Sequence, residues 1–390
     1  MARVLFVQPS FQPPGGGNAV AAWMLQALVG EHDVTTLTRR RNDFGATNRF
    51  YGTSLRDADV TARLAPGVGT ALDWIPTPVA LLKNAMLIRS AKRIGRGFDL
   101  TVTANNEAEF GRPNIQYVYY PAFLRPRPLD DVRWYHGPAP VLDAYYWIAD
   151  RLMQMSRERL VASRTLAVSD WTVARFAARY GADAAVETLY PPIPTAFPEV
   201  PWASRENGFV CIGRFAGIKR FETIVEIVAG VRRTAPDAHL HIVGSIEDRR
   251  YYRGLRARAA SLPWVTLHVD LSRRDLLDLI AKHRYGLHAM VDEHFGMAPA
   301  EMLCGGCLVW VHDSGGQVEI VGRDPRFTFA TASDATRKIL AIWNDEDAQR
   351  TAGDAMAERR LRFSAERFQA RVREIAREVL TTPRDPRSAT

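Results

Sequence analysis

The chain has 390 residues, of which 47% are hydrophobic and 24% charged, so intrinsic disorder and collagen-like or low-complexity filaments are excluded. At ~150 residues per domain, this length predicts two or three domains with ample core. Lysine and arginine total 51 against 43 acidic residues, and the resulting net charge of +8 is dispersed along the chain. Such an excess suits an anionic ligand or an anionic membrane surface and compels neither.

Cysteine usage and hydropathy indicate the cellular compartment of the protein. Three cysteines are too few for a secreted disulfide framework. The N-terminal apolar run ends at Pro9, which is short for a signal peptide, and no stretch reaches the ~18 apolar residues of a spanning helix. We expect a soluble, reduced protein of the cytoplasm. The basic residues Arg39 to Arg41 and Arg49 leave open a contact with an anionic acceptor or with lipid headgroups at the inner face of the membrane. A solvated loop is the commoner outcome for such residues.

Short apolar runs alternate with longer amphipathic stretches, which is typical of βαβ units around a parallel sheet. In the first half of the chain they predict strands over 3–8, 33–37, 100–104, 116–120 and 165–168. Helices are predicted over 19–29, 81–95 and 145–163, and a further helix, capped by the hydroxyl of Ser169, runs to Tyr180. The segment 39–51 is polar and lacks periodicity, which predicts a loop.

The composition changes at Tyr190 to Pro201, where five prolines in twelve residues predict an ordered linker. After it the βα rhythm restarts, with strands predicted over 209–212, 239–243, 265–269, 286–289, 308–311 and 327–329. Helices are predicted over 221–233, 251–260, 273–283, 331–344 and 363–380. The pattern therefore predicts two α/β domains that face each other across a cleft.

A glycine run, Gly15 to Gly17, separates the first strand from the first helix. Glycines at this position let the backbone approach a ligand and leave helix amides available for an anion. The run is not a G-x-G-x-x-G fingerprint, and no acidic residue lies where a ribose partner is expected. An anion-binding loop and a plain tight turn stay equally open.

A basic loop, Gly213 to Arg220, directly follows the first strand of the second domain. Ligands of open α/β sheets bind at the carboxyl ends of strands, which is where this loop lies. Arg214 offers a planar fork for paired oxygens, and Lys219 offers a point charge. Without a partner motif, a solvated surface cluster is the better explanation of these residues.

Two carboxylates, Glu293 and Glu301, lie eight residues apart in the segment EHFGMAPAE. Gly296 and Pro299 disfavour one continuous helix between them, so we expect Glu293 in a loop and Glu301 in the first turn of a new helix. The amides at the start of that helix suit a phosphate or sugar oxygen, and each carboxylate can accept hydroxyls from a vicinal diol. The alternative is that Glu301 only balances the helix dipole, and the convergence of features favours a ligand site.

The segments GRFAGIKR and EHFGMAPAEML together resemble the donor site of family-four retaining glycosyltransferases. The Glu-x7-Glu pattern is the most specific element, and LYPPIP, DSGGQVEIV and FSAERF extend the resemblance. It implies the α/β GT-B fold, in which two Rossmann-like parallel-sheet domains face a central cleft and a C-terminal helix crosses back to the first domain. The implied domains are an acceptor-binding domain over 1–198, completed by a returning helix over 364–390, and a donor-binding domain over 199–363.

The resemblance also implies roles for individual residues. Arg214 and Lys219 would neutralise the donor diphosphate, Glu301 would hold the nucleotide ribose, and Glu293 would contact the transferred sugar. The other implied donor-binding positions are Gly16, Gly17, Ser245, Leu271, Phe295, Gly296, Met297 and Ala298. Tyr119 stands where related enzymes often carry a histidine near the donor sugar, and a phenol donates a hydrogen bond but cannot become cationic.

In enzymes of this family the acceptor attacks from the face that the leaving phosphate departs, so neither an enzyme nucleophile nor a metal is required. We accordingly expect no metal and no cofactor, and the sequence shows no D-x-D element and no histidine cluster suited to a metal. The Cys304-Gly-Gly-Cys307 segment follows the Glu301 helix, and helix termination explains it better than a redox or zinc site.

The segments HFGMAP and QYVYYP look most like those of mannosyltransferases that use GDP-mannose. This resemblance implies a GDP-mannose donor and a role in polysaccharide biosynthesis, and a UDP-hexose donor stays open. The sequence leaves the acceptor open among a glycan, a lipid-linked sugar and a small molecule. A catalytically silent nucleotide-sugar-binding protein is a further alternative. A nucleic-acid-binding protein is disfavoured, because the basic residues are scattered and the best motif is a pair of glutamates.

Overall fold

The computed structural model describes residues 1–12, 15–66, 80–124, 139–193 and 196–382. These residues divide into two compact units. The first unit runs from Met1 to Pro192 and also takes in the segment that begins at Ala365, and the second unit spans Ile193–Ser364. The boundary lies inside the proline-rich segment 190–201, whose described residues form neither helix nor strand.

A parallel sheet forms the centre of the first unit. Its strands are β1 (Arg3–Val7), β2 (Asp33–Thr38), β3 (Thr61–Leu64), β4 (Leu100–Thr103), β5 (Asn114–Val118), β6 (Arg164–Ala167) and β7 (Val186–Thr188). Their order is β3-β2-β1-β4-β5-β6-β7. The helices of this unit are α1 (Gly16–Val29), α2 (Phe44–Tyr51), α3 (Ala80–Ile94), α4 (Ala139–Met153), α5 (Arg157–Val161), α6 (Asp170–Tyr180) and α14 (Ala365–Thr381).

The second unit is built around another parallel sheet. Its strands are β8 (Glu206–Ile212), β9 (His239–Gly244), β10 (Val265–Val269), β11 (His283–His288), β12 (Leu308–His312) and β13 (Thr328–Phe329), in the order β10-β9-β8-β11-β12-β13. The helices are α7 (Phe221–Arg232), α8 (Arg249–Ala259), α9 (Arg273–Lys282), α10 (Met297–Cys304), α11 (Gln317–Ile320), α12 (Ala332–Trp343) and α13 (Glu346–Arg360). Both sheets are the doubly wound type that the alternating pattern predicts.

Apolar side chains on both faces of the strands explain why each sheet is covered by helices. Residues Val4 to Val7 of β1 are all buried, as are Phe209 to Cys211 of β8. A parallel strand buried on both faces reads as a continuous apolar run, and this is the pattern that identified these strands. None of the helices in the described ranges combines the length and apolar character needed to cross a bilayer.

The last helix of the described chain, α14, packs on the first unit. Its buried residue Phe368 makes an edge-on ring contact with Tyr117 of β5, with the centroids 6.4 Å apart. Arg371 forms an ion pair with Glu187 of β7 over 2.6 Å. An apolar stripe flanked by ion pairs therefore attaches the end of the described chain to the unit in which the chain begins.

Two predictions about local structure are wrong. The segment 39–51 contains helix α2, because Asp43 accepts a hydrogen bond from the amide of Ala46 and Gly52 ends the helix with a φ of 73°. The single helix predicted over 145–163 is two helices, α4 and α5, with Gln154 at a φ of 51° between them. Strands β3 and β7 and helices α11 and α13 were not predicted. The cap at Ser169 is confirmed, because its side chain accepts a hydrogen bond from the amide of Thr172.

Candidate functional site

The basic loop of the second unit lies at the carboxyl end of β8. The amide of Gly213 donates to the carbonyl of Val243 over 2.9 Å, and the amide of Phe215 donates to that of Ser245 over 2.8 Å, so the loop is tied to the end of β9. A short 3₁₀ turn over Gly217–Lys219 then leads into α7. The loop is thus held by backbone hydrogen bonds at the edge where open parallel sheets bind ligands.

Two glycines make this arrangement sterically feasible. A Cβ atom on Gly244 would lie 1.9 Å from the carbonyl oxygen of Gly213, which no side chain could tolerate. A Cβ atom on Gly213 would lie 3.2 Å from the side-chain carbons of Lys219. The glycines therefore let the loop lie against β9 and let the Lys219 side chain run along the loop.

Glu293 lies between two basic side chains. Nζ of Lys219 donates a hydrogen bond to Oε2 of Glu293 over 2.8 Å, and Nε2 of His288 lies 3.4 Å from the same oxygen. Burial by itself raises the pKa of Glu293, but the charge of Lys219 and the contact with His288 outweigh burial and hold that pKa well below its usual value. Glu293 is therefore a carboxylate at neutral pH, able to accept hydrogen bonds but not to donate one.

The DSGG loop after β12 supports the backbone of Glu293. The amide of Gly316 donates to the carbonyl of Glu293 over 2.8 Å, and Oγ of Ser314 accepts from the amide of Asp292 over 2.8 Å. Gly315 has a φ of 72°, and a Cβ atom there would lie 2.3 Å from the Glu293 carbonyl oxygen. These contacts explain why this loop accompanies the Glu-x7-Glu pattern.

Helix α10 begins at Met297, after Glu293, and contains Glu301. The expectation that Glu301 lies in the first turn is wrong, because Gly296, with a φ of 105°, caps a helix that starts two residues before Pro299. Within the described chain, no side chain caps its N-terminus. The amides of Met297 and Ala298 therefore remain available for an anion. The ring of Phe295 is buried against Phe363, so only the backbone of Phe295 can contact a ligand.

Glu301 pairs with an arginine that the sequence analysis missed. Nη1 of Arg273 donates to Oε1 of Glu301 over 2.7 Å, and both side chains are less than one fifth exposed. Nη2 of Arg273 is buried without a hydrogen-bond partner in the part of the chain that the structure describes. The only sequence signal for this residue is its position at the start of α9, two residues after the implied donor-binding position Leu271.

Arg214 pairs with Glu247, in the segment after β9, and its side chain is 57% exposed. Ser245 and Leu271 follow the carboxyl ends of β9 and β10, and Ser245 contributes its carbonyl to the basic loop. The structure thus brings Lys219 to Glu293 and Arg273 to Glu301, while Arg214 lies with a different carboxylate.

The glycine run of the first unit lies between two tyrosines. The hydroxyl of Tyr119 donates to the carbonyl of Gly17 over 2.8 Å, and the hydroxyl of Tyr51 donates to the carbonyl of Gly15 over 2.9 Å. Burial raises the pKa of Tyr119 well above its usual value and that of Tyr51 to about 12, so both phenols are neutral. Gly16 is the first residue of α1. Tyr119 therefore orients the start of this helix through Gly17.

The expectation of no histidine cluster suited to a metal is wrong. His239, His241 and His283 each present a ligand atom within 4.8 Å of those of the other two. These histidines lie on two strands that are far apart in sequence, so no local motif reveals them. By contrast, α10 ends at Cys304 as predicted. Burial raises the pKa of Cys304 and of Cys307 to about 12, so both are protonated, unreactive thiols.

Comparison with protein families identifies the unit that contains both carboxylates. Residues 193–359 match the family described as Glycosyl transferases group 1. The chain contains a glycosyltransferase group 1 domain. This domain holds Lys219, Glu293, Arg273 and Glu301, the four residues that form the two ion pairs.

Two curated relatives of the chain are fungal proteins. The chain is 31% identical over 159 residues to a Neurospora crassa protein named GDP-Man:Man(3)GlcNAc(2)-PP-Dol alpha-1,2-mannosyltransferase, a match that covers 36% of this chain and 28% of the relative. A Candida glabrata protein of the same name is 30% identical over 147 residues, covering 34% of this chain and 29% of the relative. The matched region is thus less than a third of each relative.

Solved structures similar to the chain cover the glycosyltransferase group 1 domain and the first unit together. HepE from Anabaena, in complex with UDP and glucose, matches with a TM-score of 0.65 and 14% identity over 98% of this chain and 100% of its own. Sucrose-phosphate synthase from Thermosynechococcus elongatus matches with a TM-score of 0.70 and 16% identity over 97% of this chain and 99% of its own. WaaG, a glycosyltransferase involved in lipopolysaccharide biosynthesis, has a TM-score of 0.68 and 14% identity, covering 97% and 100%. These likenesses confirm the predicted GT-B fold class.

Proposed function

We propose that this chain is a retaining glycosyltransferase that moves a hexose, mannose in the first instance, from a nucleotide diphosphate sugar to a hydroxyl acceptor. One observation carries the proposal. Glu293 and Glu301, each paired with its own cation, lie on either side of the N-terminus of α10 at the carboxyl edge of a parallel sheet. None of the described side chains caps that N-terminus. This combination offers hydroxyl acceptors, anion donors and positive charge together, which is what a nucleotide diphosphate sugar requires.

The charges support a division of roles. Lys219 has three donors, of which Glu293 engages one and the sulfur of Met290 a second, so the third can bind a phosphate oxygen of the donor. Arg214 is mostly exposed and can turn from Glu247 to the diphosphate. The amides at the start of α10 would bind the same anion. Glu301, oriented by Arg273, would accept the ribose hydroxyls, and Glu293 would accept hydroxyls of the transferred sugar.

Glu293 is ionised at neutral pH, so it is a hydrogen-bond acceptor and not a general acid in this proposal. The reaction then proceeds on one face of the sugar. The bond between the anomeric carbon and the diphosphate oxygen breaks, a bond from that carbon to the acceptor oxygen forms, and the acceptor proton passes to the leaving phosphate. Catalysis rests on positioning and on stabilising the charge of the leaving group, for which the chain supplies lysine and arginine without a required metal.

GDP-mannose is the donor that we propose, and a UDP-hexose is the second candidate. The names of the fungal relatives support mannose from GDP-mannose. The likeness to a protein solved with UDP and glucose supports the alternative. The acceptor is proposed by class only: a glycan, a lipid-linked sugar or a small molecule, with polysaccharide biosynthesis as the setting.

Calorimetric titration of GDP, UDP, ADP and dTDP and their common sugars, without added metal, tests the donor. We expect selective binding of GDP and GDP-mannose, with release of mannose or its transfer to an added oligosaccharide detected by mass spectrometry. NMR of the product should show the anomeric configuration of the donor. Selective UDP binding would mean that the donor is a UDP-hexose. A product with the inverted anomeric configuration would refute the one-face reaction. Nucleotide binding without transfer to any class of acceptor would favour a catalytically silent sugar-nucleotide-binding protein. Absence of nucleotide binding would refute the site.

A further inference from the structure

A second cluster of polar side chains lies at the opposite edge of the same sheet. Glu206, His239 and His283 are the first residues of β8, β9 and β11. The basic loop and Glu293 lie at the carboxyl ends of strands in this sheet, and the six residues of β9 separate the two edges by about 17 Å. The cluster is therefore separate from the proposed donor site, and the inference drawn from it does not rest on the proposed function.

Three acceptor atoms converge on one point in this cluster. Nε2 of His239 lies 3.2 Å from Nε2 of His283 and 3.3 Å from Oε2 of Glu206. Nε2 of His283 lies 3.7 Å from the same carboxylate oxygen. Four ligands at 2.0–2.1 Å from a tetrahedral ion are separated from one another by about 3.3–3.4 Å. The three measured distances are close to the edges of such a tetrahedron.

The hydrogen bonds on the far side of each ring assign the tautomers. Nδ1 of His283 lies 2.6 Å from the carbonyl oxygen of Leu279, and Nδ1 of His239 lies 3.3 Å from that of Asp237. A carbonyl only accepts, so both Nδ1 atoms carry the proton and both Nε2 atoms present lone pairs. Two lone pairs and a carboxylate oxygen then face one another with no proton among them, an arrangement that a cation satisfies. Metal-ligating histidines typically donate their second nitrogen to a backbone carbonyl in this way.

His241 completes the set. Its ligand atom lies within 4.8 Å of those of His239 and His283. Its Nδ1 lies 2.8 Å from Nε2 of His268 on β10, so it can donate there and leave Nε2 for an ion.

The backbone beside the cluster leaves room for the rings. A Cβ atom on Gly208 of β8 would lie 2.2 Å from Nε2 of His239 and 2.4 Å from Cδ2 of His283. The register of β8 and β11 shifts between His283 and Tyr285, and irregularities of this kind re-aim side chains beside functional sites. A glycine and a bulge thus coincide at the position where the imidazole nitrogens meet.

We propose that Glu206, His239, His241 and His283 form a binding site for a first-row divalent transition-metal ion, with Zn²⁺ as the best match. Three imidazole nitrogens and one carboxylate oxygen are borderline ligands that suit zinc, whereas magnesium and calcium prefer oxygen alone. The ion would join the amino ends of three strands of the sheet. Its role is structural, because all four positions of a tetrahedral ion are taken by side chains of the domain.

Zinc titration of untagged, EDTA-treated full-length protein tests the site. We expect one Zn²⁺ bound per chain with a dissociation constant below 1 µM as an order of magnitude, and a rise in the melting temperature. Co²⁺ as a substitute should give the intense visible bands of a four-coordinate site. His239 is partly exposed and Glu206 about half exposed, so His239→Gln and Glu206→Gln, which keep the buried His283, are expected to fold. Glu199→Gln, the same change at an exposed position outside the cluster, is the matched control.

The expected result is that His239→Gln weakens Zn²⁺ binding at least tenfold, that Glu206→Gln weakens it less, and that Glu199→Gln binds as the wild type does. Equal affinity in the wild type and His239→Gln would mean that the ion lies elsewhere and would overturn the proposal. So would the absence of stoichiometric Zn²⁺, Co²⁺ and Ni²⁺ binding, or the weak spectrum of a six-coordinate Co²⁺ ion. Nucleotide affinity measured on the same variants should not change, which separates this result from the test of the donor site.

Discussion

Replacing Lys219 by methionine tests how the candidate site distributes its charge. The substitution keeps most of the side-chain length and removes the ammonium that lies 2.8 Å from Oε2 of Glu293. Glu293 is then left as a mostly buried carboxylate with His288 as its neighbour. We expect its pKa to rise, because burial then acts without the opposing charge.

The magnitude follows from the exposure of the pair. The side chain of Lys219 is 13% exposed and that of Glu293 is 18% exposed. Removing one partner of a buried ion pair costs about 3–5 kcal/mol, and the residual exposure favours the lower end, roughly 3 kcal/mol. Loss of a charge-assisted contact to the diphosphate, about 1.5–3 kcal/mol, should weaken nucleotide diphosphate binding roughly 10- to 100-fold.

Lys338→Met is the matched control. Lys338 forms an ion pair with Asp334 over 2.9 Å, with 19% and 24% exposure, on helix α12. Urea unfolding should show a loss of stability for both variants, whereas calorimetry with GDP and GMP should show weaker diphosphate binding only for Lys219→Met. In the double variant Lys219→Met/Glu293→Gln, part of the lost stability should return, because no isolated carboxylate remains.

Nucleotide affinity of Lys219→Met equal to that of Lys338→Met would refute the assignment of Lys219 to the diphosphate. A double variant no more stable than the single one would refute the reasoning that an unpaired Glu293 carboxylate is the source of the instability.

Three further changes test separate parts of the site. Glu301→Ala should weaken GDP binding roughly tenfold or more and should bind 2′,3′-dideoxy-GDP as well as GDP, because it removes the carboxylate that we propose accepts the ribose hydroxyls. Continued discrimination between the two nucleotides by the variant would contradict this role. The pKa of Glu293 is lower in the folded state than in the unfolded chain, so its ionisation stabilises the fold at a pH above the usual pKa of glutamate. This stabilisation is lost as the pH falls through the folded-state pKa. The difference in unfolding free energy between wild type and Glu293→Gln should therefore shrink between about pH 7 and about pH 3. A constant difference would contradict it. Gly244→Ala should destabilise the fold by roughly 2–4 kcal/mol in urea unfolding and abolish nucleotide binding, because the new Cβ would lie 1.9 Å from the Gly213 carbonyl oxygen. Gly254→Ala is the control: it lies in helix α8, a Cβ there would have nothing within 4 Å, and it should stabilise the fold by up to about 1 kcal/mol. Similar effects of the two glycine changes would exclude the steric explanation.

Local patterns in the sequence were sufficient to predict most helices and strands. An apolar run buried on both faces identifies a strand such as β1, and a hydroxyl at Ser169 caps the helix that follows it. Both signals depend on residues within one turn or one strand, so they are present in the sequence itself. The same kind of signal is present for α2, at Asp43 and Gly52, but the polar character of the segment led to the prediction of a loop.

The sequence by itself determined the two-domain α/β class and the Glu-x7-Glu pattern, because these depend on periodicity and on residues close in the chain. Only the tertiary structure decided which cation each carboxylate binds: Lys219 lies 74 positions before Glu293 and Arg273 lies 28 positions before Glu301. It alone brought His239 and His241 of β9 together with His283 of β11 as a histidine cluster. Strand order and register set these contacts, and they result from packing of whole elements, which no local spacing encodes.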